Sequence, residues 1–253
     1  MTASIEWIAH RGASHDAPEN TLAAVDRAWQ QDADAVEVDC RLTVDGQIVV
    51  IHDKDTFRTA GRRVLVAGAT LETLRQLDVG RFRGETWADE RIPTLLEVLQ
   101  TVPRGKRLLV EVKCSVEIVG PLVRLLDGME QPLRAVAVVS YHLDVLRALK
   151  QQHAETDAYL VARFEPDRQP FGCVPPTVDE LILRAGIARL DGLNLHVGGP
   201  LDTAAVVEIH TAGLSCYVWA TDDPPEARRM IELGVDGITT NRPAWLRQQV
   251  TGG

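Results

Sequence analysis

The sequence predicts an α/β protein, a closed (β/α)8 barrel with a small insertion after the hairpin that follows strand 2. Three observations lead there. Short apolar runs alternate with longer amphipathic segments along nearly all of the 253 residues, the pattern of a parallel sheet covered by helices. Eight such strand–helix units can be read. Barrels of this kind commonly run to ~250 residues as one domain, so eight units at this length favour closure over an open doubly wound sheet.

Taken in order, the first strand is expected at 5–10 (Ile-Glu-Trp-Ile-Ala-His) and a helix over 19–32, with Pro18-Glu19-Asn20-Thr21 at its start. The second strand lies at 35–40. Thr43 to His52 then continues extended, leaving no room for a helix, and Asp45-Gly46 signals a two-residue hairpin turn. If Val44 pairs with Gln47, paired numbers sum to 91 and Asp39 faces His52. Residues 54–93 abandon the rhythm. They are rich in Arg, Gly and Thr, hold a short helical stretch near 70–78 and end at Ile92-Pro93-Thr94-Leu95, which reads as an insertion within a single 1–253 domain. Helices are then expected at 94–102, 117–129, 143–153, 177–190, 202–212, 223–233 and 244–250. Strands fall between them at 107–113, 135–141, 157–162, 192–197, 215–221 and 236–241. Asp222-Asp223-Pro224-Pro225 suits a helix start, and Gly213 and Gly234 stand where helix ends take a left-handed residue.

Composition narrows the function. With 45% hydrophobic, 25% charged and 5% aromatic residues, the chain is ordinary globular material, not a disordered or collagenous one. Its net charge of −9 disfavours a general nucleic-acid binder, which needs clustered Lys and Arg. No basic-then-apolar leader is visible at the N-terminus, and no apolar run approaches the ~20 residues of a membrane span. Cys40, Cys114, Cys173 and Cys216 are scattered without a CxxC pair, so reduced thiols in the cytoplasm are expected.

Strand alternation selects the chemistry. In 35–40, Val36 and Val38 take one face and Glu37 and Asp39 the other; in 107–113, Val110 and Val112 oppose Glu111 and Lys113. Valines packed on the helices leave three carboxylates and a lysine inside. Unpaired buried charges are costly, so these belong at the C-terminal mouth, where barrel enzymes place their active sites. Carboxylate oxygens suit one hard divalent cation, Mg2+ or Ca2+. The competing reading is a structural salt-bridge network around Lys113, which asks three carboxylates to share one lysine. His10-Arg11-Gly12 ends the first strand and His52-Asp53 the hairpin strand. A lone histidine is more often structural; two at one mouth beside metal ligands point to proton transfer. Arg11 offers a planar guanidinium that matches phosphate oxygens. Together these residues suit phosphoryl transfer.

The ordered set resembles the glycerophosphodiester phosphodiesterases. It comprises His10-Arg11-Gly12, Glu19-Asn20-Thr21, Glu37-Val38-Asp39, Asp45-Gly46, His52-Asp53, Ile92-Pro93-Thr94-Leu95, Glu111-Val112-Lys113, Val218-Trp219 and Gly234-Val235-Asp236-Gly237-Ile238. The pieces follow that family's order from residue 10 to 243. Each tripeptide is weak alone, but the ordered set is highly specific. The resemblance implies a TIM barrel whose insertion follows the His-Asp motif, matching 54–93. It implies His10 and His52 as the acid–base pair, and Glu37, Asp39 and Glu111 as ligands of one divalent metal. Arg11 and Lys113 would contact the phosphate, with Glu19 and Asn20 nearby. The implied reaction hydrolyses deacylated phospholipids such as glycerophosphocholine to glycerol 3-phosphate and an alcohol. Water or the substrate's own glycerol 2-hydroxyl would attack.

Departures from the family pattern are few. Thr240-Asn241-Arg242-Pro243 stands where Thr-Asp-Arg-Pro is usual, which loses a carboxylate but keeps an acceptor. Ser140-Tyr141 replaces the common Ser-Phe and puts a hydroxyl on the pocket wall, and Trp219-Ala220-Thr221 replaces Trp-Thr-Val. Trp219 is expected inside the mouth against glycerol carbons. Asn194 and His196 share a strand face directed toward the pocket. Arg58, Arg62 and Arg63 read as a solvated face, with attraction of anionic headgroups as the other reading. Cys114 reads as packing rather than as a nucleophile.

The expected partner is a small glycerophosphodiester, with no nucleic acid and no transmembrane segment, in a monomer or homodimer. A lysophospholipase D on the same barrel would need an apolar channel or docking surface that no segment demands. A non-catalytic binding paralogue sits poorly with both histidines and all three ligands in place. A barrel lyase or aldolase would leave the histidines and Arg11 without a task.

Overall fold

The computed structural model describes residues 5–129, 135–165 and 175–252. Its strands are β1 (Glu6–His10), β2 (Ala35–Leu42), β3 (Ile48–Val50), β4 (Arg107–Val112), β5 (Val136–Ser140), β6 (Asp157–Ala162), β7 (Gly192–His196), β8 (Ser215–Trp219) and β9 (Gly237–Thr240). All but β3 run parallel in chain order, and β1 pairs with both β9 and β2, closing an eight-stranded barrel. The helices are α1 (Leu22–Gln30), α2 (Phe57–Ala60), α3 (Leu71–Arg75), α4 (Leu95–Thr101), α5 (Val119–Asp127), α6 (Leu143–Gln152), α7 (Val178–Ala188), α8 (Thr203–Thr211), α9 (Pro224–Leu233) and α10 (Pro243–Thr251). No described helix is long and apolar enough to cross a membrane. This is the TIM barrel that the alternation of strands and helices predicts.

Alternation decides which side chains meet. Val36, Val38 and Cys40 of β2 and Val110 and Val112 of β4 join Leu95, Val98 and Leu122 in the core beneath the helices. Ile8, Ala35, Leu109, Ala137, Val139, Tyr159, Val161 and Tyr217 fill the barrel interior. Below that layer, at the N-terminal end of the strands, Arg107 donates to Glu6 (2.9 Å), Asp157 (3.1 Å) and the hydroxyls of Tyr159 and Tyr217 (2.9 Å each). The two tyrosine rings stack at 5.0 Å. A polar plug thus forms the floor, and the opposite end is left for chemistry.

The helix starts follow local hydrogen bonding. Thr21, Thr94, Thr177, Asp202 and Asp223 each accept an N-terminal backbone N–H, with capping boxes at Thr94–Glu97 and Thr177–Glu180. Helix α1 begins at Leu22 instead of 19 because Asn20 is left-handed (φ 59°) and Thr21 is the cap. Gly12 is required where it stands. At φ 79° it crosses α1 so closely that a Cβ would lie 2.5 Å from the carbonyl carbon of Ala24.

The hairpin corrects the expected register by one residue. Cys40 pairs with Val50, Arg41 with Val49 and Leu42 with Ile48, so paired numbers sum to 90, not 91. The Asp39 carbonyl accepts from Ile51 N at 2.8 Å, and Asp39 is not directly opposite His52. The cause is a three-residue turn. Thr43 N donates to Gln47 O, and the Thr43 hydroxyl both accepts from Gln47 N (2.9 Å) and donates to Asp45 (2.6 Å). Gly46 takes the left-handed position (φ 75°) that a three-residue loop needs.

After the hairpin, α2, α3 and three 3-10 turns pack on a small core of their own, formed by Val49, Ile51, Val66, Ala69, Leu74, Val79 and Ile92. The stretch near 70–78 is helical only over Leu71–Arg75, and α2 carried no periodic signal because four residues are too few to show one. Cys40, Cys114 and Cys216 are free thiols, and Cys114 packs against the main core as expected. Cys173 lies outside the described residues.

Candidate active site

The β2–β4 register sets Asp39 beside Glu111, and the β1–β2 register sets His10 beside Glu37. Inward alternation therefore gathers Glu37, Asp39 and Glu111, all buried, with one oxygen of each within 4.8 Å of the others. Lys113 Nζ stands 2.6 Å from Glu111 and 3.1 Å from Asp39, and Arg11 Nε stands 3.0 Å from Asp39. The lysine bridges two carboxylates, as a salt-bridge network would, but it leaves out the third. Glu37 takes one backbone bond from Arg11 N (3.0 Å), and its Oε1 is buried with no hydrogen-bond partner among the described residues.

Electrostatics separates the three acids. Burial opposes the charge on Asp39, yet Arg11 and Lys113 outweigh it and hold this carboxyl far below the ordinary range. Burial, then the charges on Asp39 and Glu111, push Glu37 well above it. Burial also raises Glu111, against the pull of Lys113. Two fixed cations thus cannot satisfy three buried carboxylates. A hard divalent cation among them would take up the excess, so this all-oxygen set fits one.

Two histidines flank the acids. His10 and His52 line one cleft of ≈ 460 Å³ with Arg11, Glu111, Lys113, Tyr141, Arg163, His196, Trp219 and Ala220. His52 Nδ1 is 2.6 Å from Asp53 Oδ1; a carboxylate only accepts, so Nδ1 donates. His10 Nδ1 is 2.8 Å from Asn241 Oδ1. Burial first, then Arg11, lowers the His10 pKa to about 4. His52 is lowered as well, mainly by burial, with Asp39 and Asp53 pulling the other way.

Glu19 and Asn20 stand behind these groups. Asn20 donates to Asp39 (2.8 Å), and its own oxygen accepts from Asp39 N (3.1 Å). Glu19 takes Arg11 at 2.8 Å and both terminal nitrogens of Arg58 at 2.6 and 2.8 Å. Arg58 also reaches Asp53 (2.6 Å), so it is not part of a merely solvated face; Arg63 pairs with Asp55 and lies over the Phe57 ring. On the far wall, Trp219 meets Tyr141 and His196 edge-on at 6.1 and 5.0 Å. Asn194 is buried one inward step deeper than His196, and its carbonyl accepts from the Trp219 indole.

Several site residues escaped the sequence reading. Arg41 donates to the carbonyls of His52 (2.8 Å) and Lys113 (2.9 Å), tying the hairpin to β4. Arg163 lies over Trp219 at 5.3 Å. Both continue an inward alternation, 37–39–41 and 159–161–163, that was available in the sequence. Asp222, bonded to Asn241, carried no such signal.

Known proteins resemble this chain in sequence and fold. The sequence model of the glycerophosphoryl diester phosphodiesterase family matches residues 10–245. A glycerophosphodiester phosphodiesterase of Caldanaerobacter subterraneus is 33% identical over 252 residues, covering 94% of this chain and 95% of that protein. The solved structure of an Oleispira antarctica phosphodiesterase, in complex with the product sn-glycerol-3-phosphate, is 27% identical with a TM-score of 0.84 and covers 96% of each chain. The glycerophosphodiester phosphodiesterase of Thermotoga maritima, 24% identical, shares the fold at a TM-score of 0.78 over 98% of this chain and 99% of that one. The family match runs from His10 into the last helix, and on it the chain belongs to the glycerophosphoryl diester phosphodiesterase family.

Proposed function

We propose that this enzyme hydrolyses glycerophosphodiesters to glycerol 3-phosphate and an alcohol, with His10 as general base, His52 as general acid and one Mg2+ or Ca2+ held by Glu37, Asp39 and Glu111. The observation that carries the reading is the single cleft in which two histidines from separate strands meet Arg11, Lys113 and the acidic cluster. His10 is neutral at pH 7 and so ready to accept a proton. Asp53 on Nδ1 orients the His52 ring in the cleft and partly offsets the burial that lowers its pKa, and to this ring we assign protonation of the departing alkoxide.

Arg11 and Lys113 would bind the phosphoryl oxygens, each positioned by carboxylates from behind. A bound divalent cation would add positive charge at those same oxygens. Tyr141 and Trp219 form the wall against which the glycerol or headgroup carbons lie. Glu19 and Asn20 serve by holding Arg11 and Asp39. We place residues 54–93 as an insertion of the one barrel domain, beside the mouth, and the free thiols fit a reducing cytoplasm.

The test is hydrolysis of glycerophosphocholine and, separately, lysophosphatidylcholine, with and without EDTA, reading glycerol 3-phosphate, choline and lysophosphatidic acid. Glycerol 3-phosphate is expected from the first substrate and is lost with EDTA. His10→Ala and His52→Ala should each lower kcat by at least about 100-fold. Glu37→Gln should raise the Tm of the chelated protein, because it relieves carboxylate repulsion, and abolish the further rise that added metal gives the parent. Turnover unaffected by EDTA or by both histidine changes would refute the assignment.

A further inference from the structure

Asn241 stands just past the last strand, with a carboxylate, Asp222, directly behind its amide. Asp222, in the loop after β8, accepts from Asn241 Nδ2 (2.9 Å) and Asn241 N (2.8 Å), and also from the Thr240 hydroxyl (2.7 Å). A carboxylate has no proton to give, so the amide nitrogen of Asn241 must face Asp222. The amide oxygen then faces the other way. It accepts from the Ser14 hydroxyl at 3.0 Å and stands 2.8 Å from His10 Nδ1. Facing an oxygen, Nδ1 of a neutral ring must carry the proton, and Nε2 is left with the lone pair.

We propose that Asp222 is a positioning residue for the reaction: through Asn241 it locks His10 in the Nδ1–H tautomer and keeps Nε2 open as the proton acceptor in the cleft. The three residues stand at or just past the C-terminal ends of adjacent strands, β8, β9 and β1, so barrel closure itself assembles the chain. An amide between carboxylate and imidazole carries orientation without carrying charge. This accounts for a site that keeps its base neutral yet holds one tautomer. The catalytic part rests on the reading of His10 as base; the tautomer itself does not.

The experiment labels histidine with 15N and reads the His10 ring nitrogens at neutral pH, alongside kcat and KM, in the parent and three variants. The parent should show a protonated Nδ1 and an unprotonated Nε2. Asp222→Ala and Asp222→Asn free the amide to flip, so both tautomers should appear and kcat should fall about 10- to 100-fold with KM little changed. The double variant Asp222→Asn/Asn241→Asp inverts the carboxylate–amide pair; it should restore the Nδ1–H tautomer and most of kcat. A parent with Nε2 protonated, or an Asp222→Ala variant that keeps the parent tautomer while losing activity, would overturn the lock and leave Asp222 a loop-structural residue. Full turnover in His10→Ala, with the parent's His10 found in the Nδ1–H tautomer, would defeat the base assignment instead.

Discussion

A histidine buried beside cations makes protonation a matter of stability. The pKa of His10 drops from 6.5 to about 4 on folding, first through burial and then through Arg11. Between those values the unfolded chain binds a proton that the folded one refuses. The stability His10 provides by staying neutral is therefore complete above about pH 6.5 and is lost as pH falls toward 4. Urea unfolding of the chelated protein should show a difference in slope between the parent and His10→Gln, steepest near pH 5 and at most about 1.4 kcal/mol per pH unit. Parallel pH curves for the two proteins would mean that His10 binds its proton equally well in the folded and unfolded chains, and would refute the burial-lowered pKa.

At the scale of elements, the segment after the hairpin reaches into the cleft's supports. From α2, Arg58 binds Asp53, which holds His52, and Glu19, which holds Arg11. One guanidinium thus clasps the carboxylates behind two cleft residues. Its side chain is 44% exposed, so the pairs contribute little to global stability, within about 1 kcal/mol. Arg58→Ala should leave Tm nearly unchanged and lower kcat/KM about tenfold, the scale at which outer partners of a site act. Arg58→Lys should recover only part, because the single nitrogen of an ammonium cannot reproduce the bonds that three guanidinium nitrogens make to Glu19 and Asp53. Steady-state kinetics and thermal melts separate these effects, and parent-like kcat/KM in Arg58→Ala would remove the clasp from the mechanism.

At the scale of the whole molecule, the barrel divides stability from chemistry along its axis. The Arg107 plug at the floor joins β1, β4, β6 and β8, whereas the acids and histidines sit at the mouth. Arg107→Ala would strand Glu6 and Asp157 with reduced water contact. The expected loss is about 3 kcal/mol, the lower end for a broken buried pair, or a Tm lower by about 6–12 °C. From Arg107 to Glu111 is roughly 13 Å of strand, far enough for kcat to stay within about twofold while the protein is folded. A large fall in kcat without a fall in Tm would show that floor and mouth are coupled. The same division explains how a chain of net charge −9 handles a phosphodiester: Arg11, Lys113 and Arg163 converge on one cleft.

The barrel, the inward set Glu37, Asp39, Glu111 and Lys113, and the strand-end histidines were all legible in the sequence. Each follows from a period-two alternation or from a terminus, which are properties of one strand's covalent geometry. Contacts between elements were not legible. One extra residue in the turn at Val44–Gly46 shifted the hairpin register and turned Asp39 from His52 to Ile51, because a third residue completes the Thr43–Gln47 bonds. Nothing local marks Arg58 as the partner of Glu19, 39 residues away, or Asp222 as the partner of Asn241, 19 away. Those meetings depend on how far closure of the barrel brings neighbouring strand ends together. The sequence by itself determined which side chains face the mouth; only the tertiary structure decided which partner stands behind each of them.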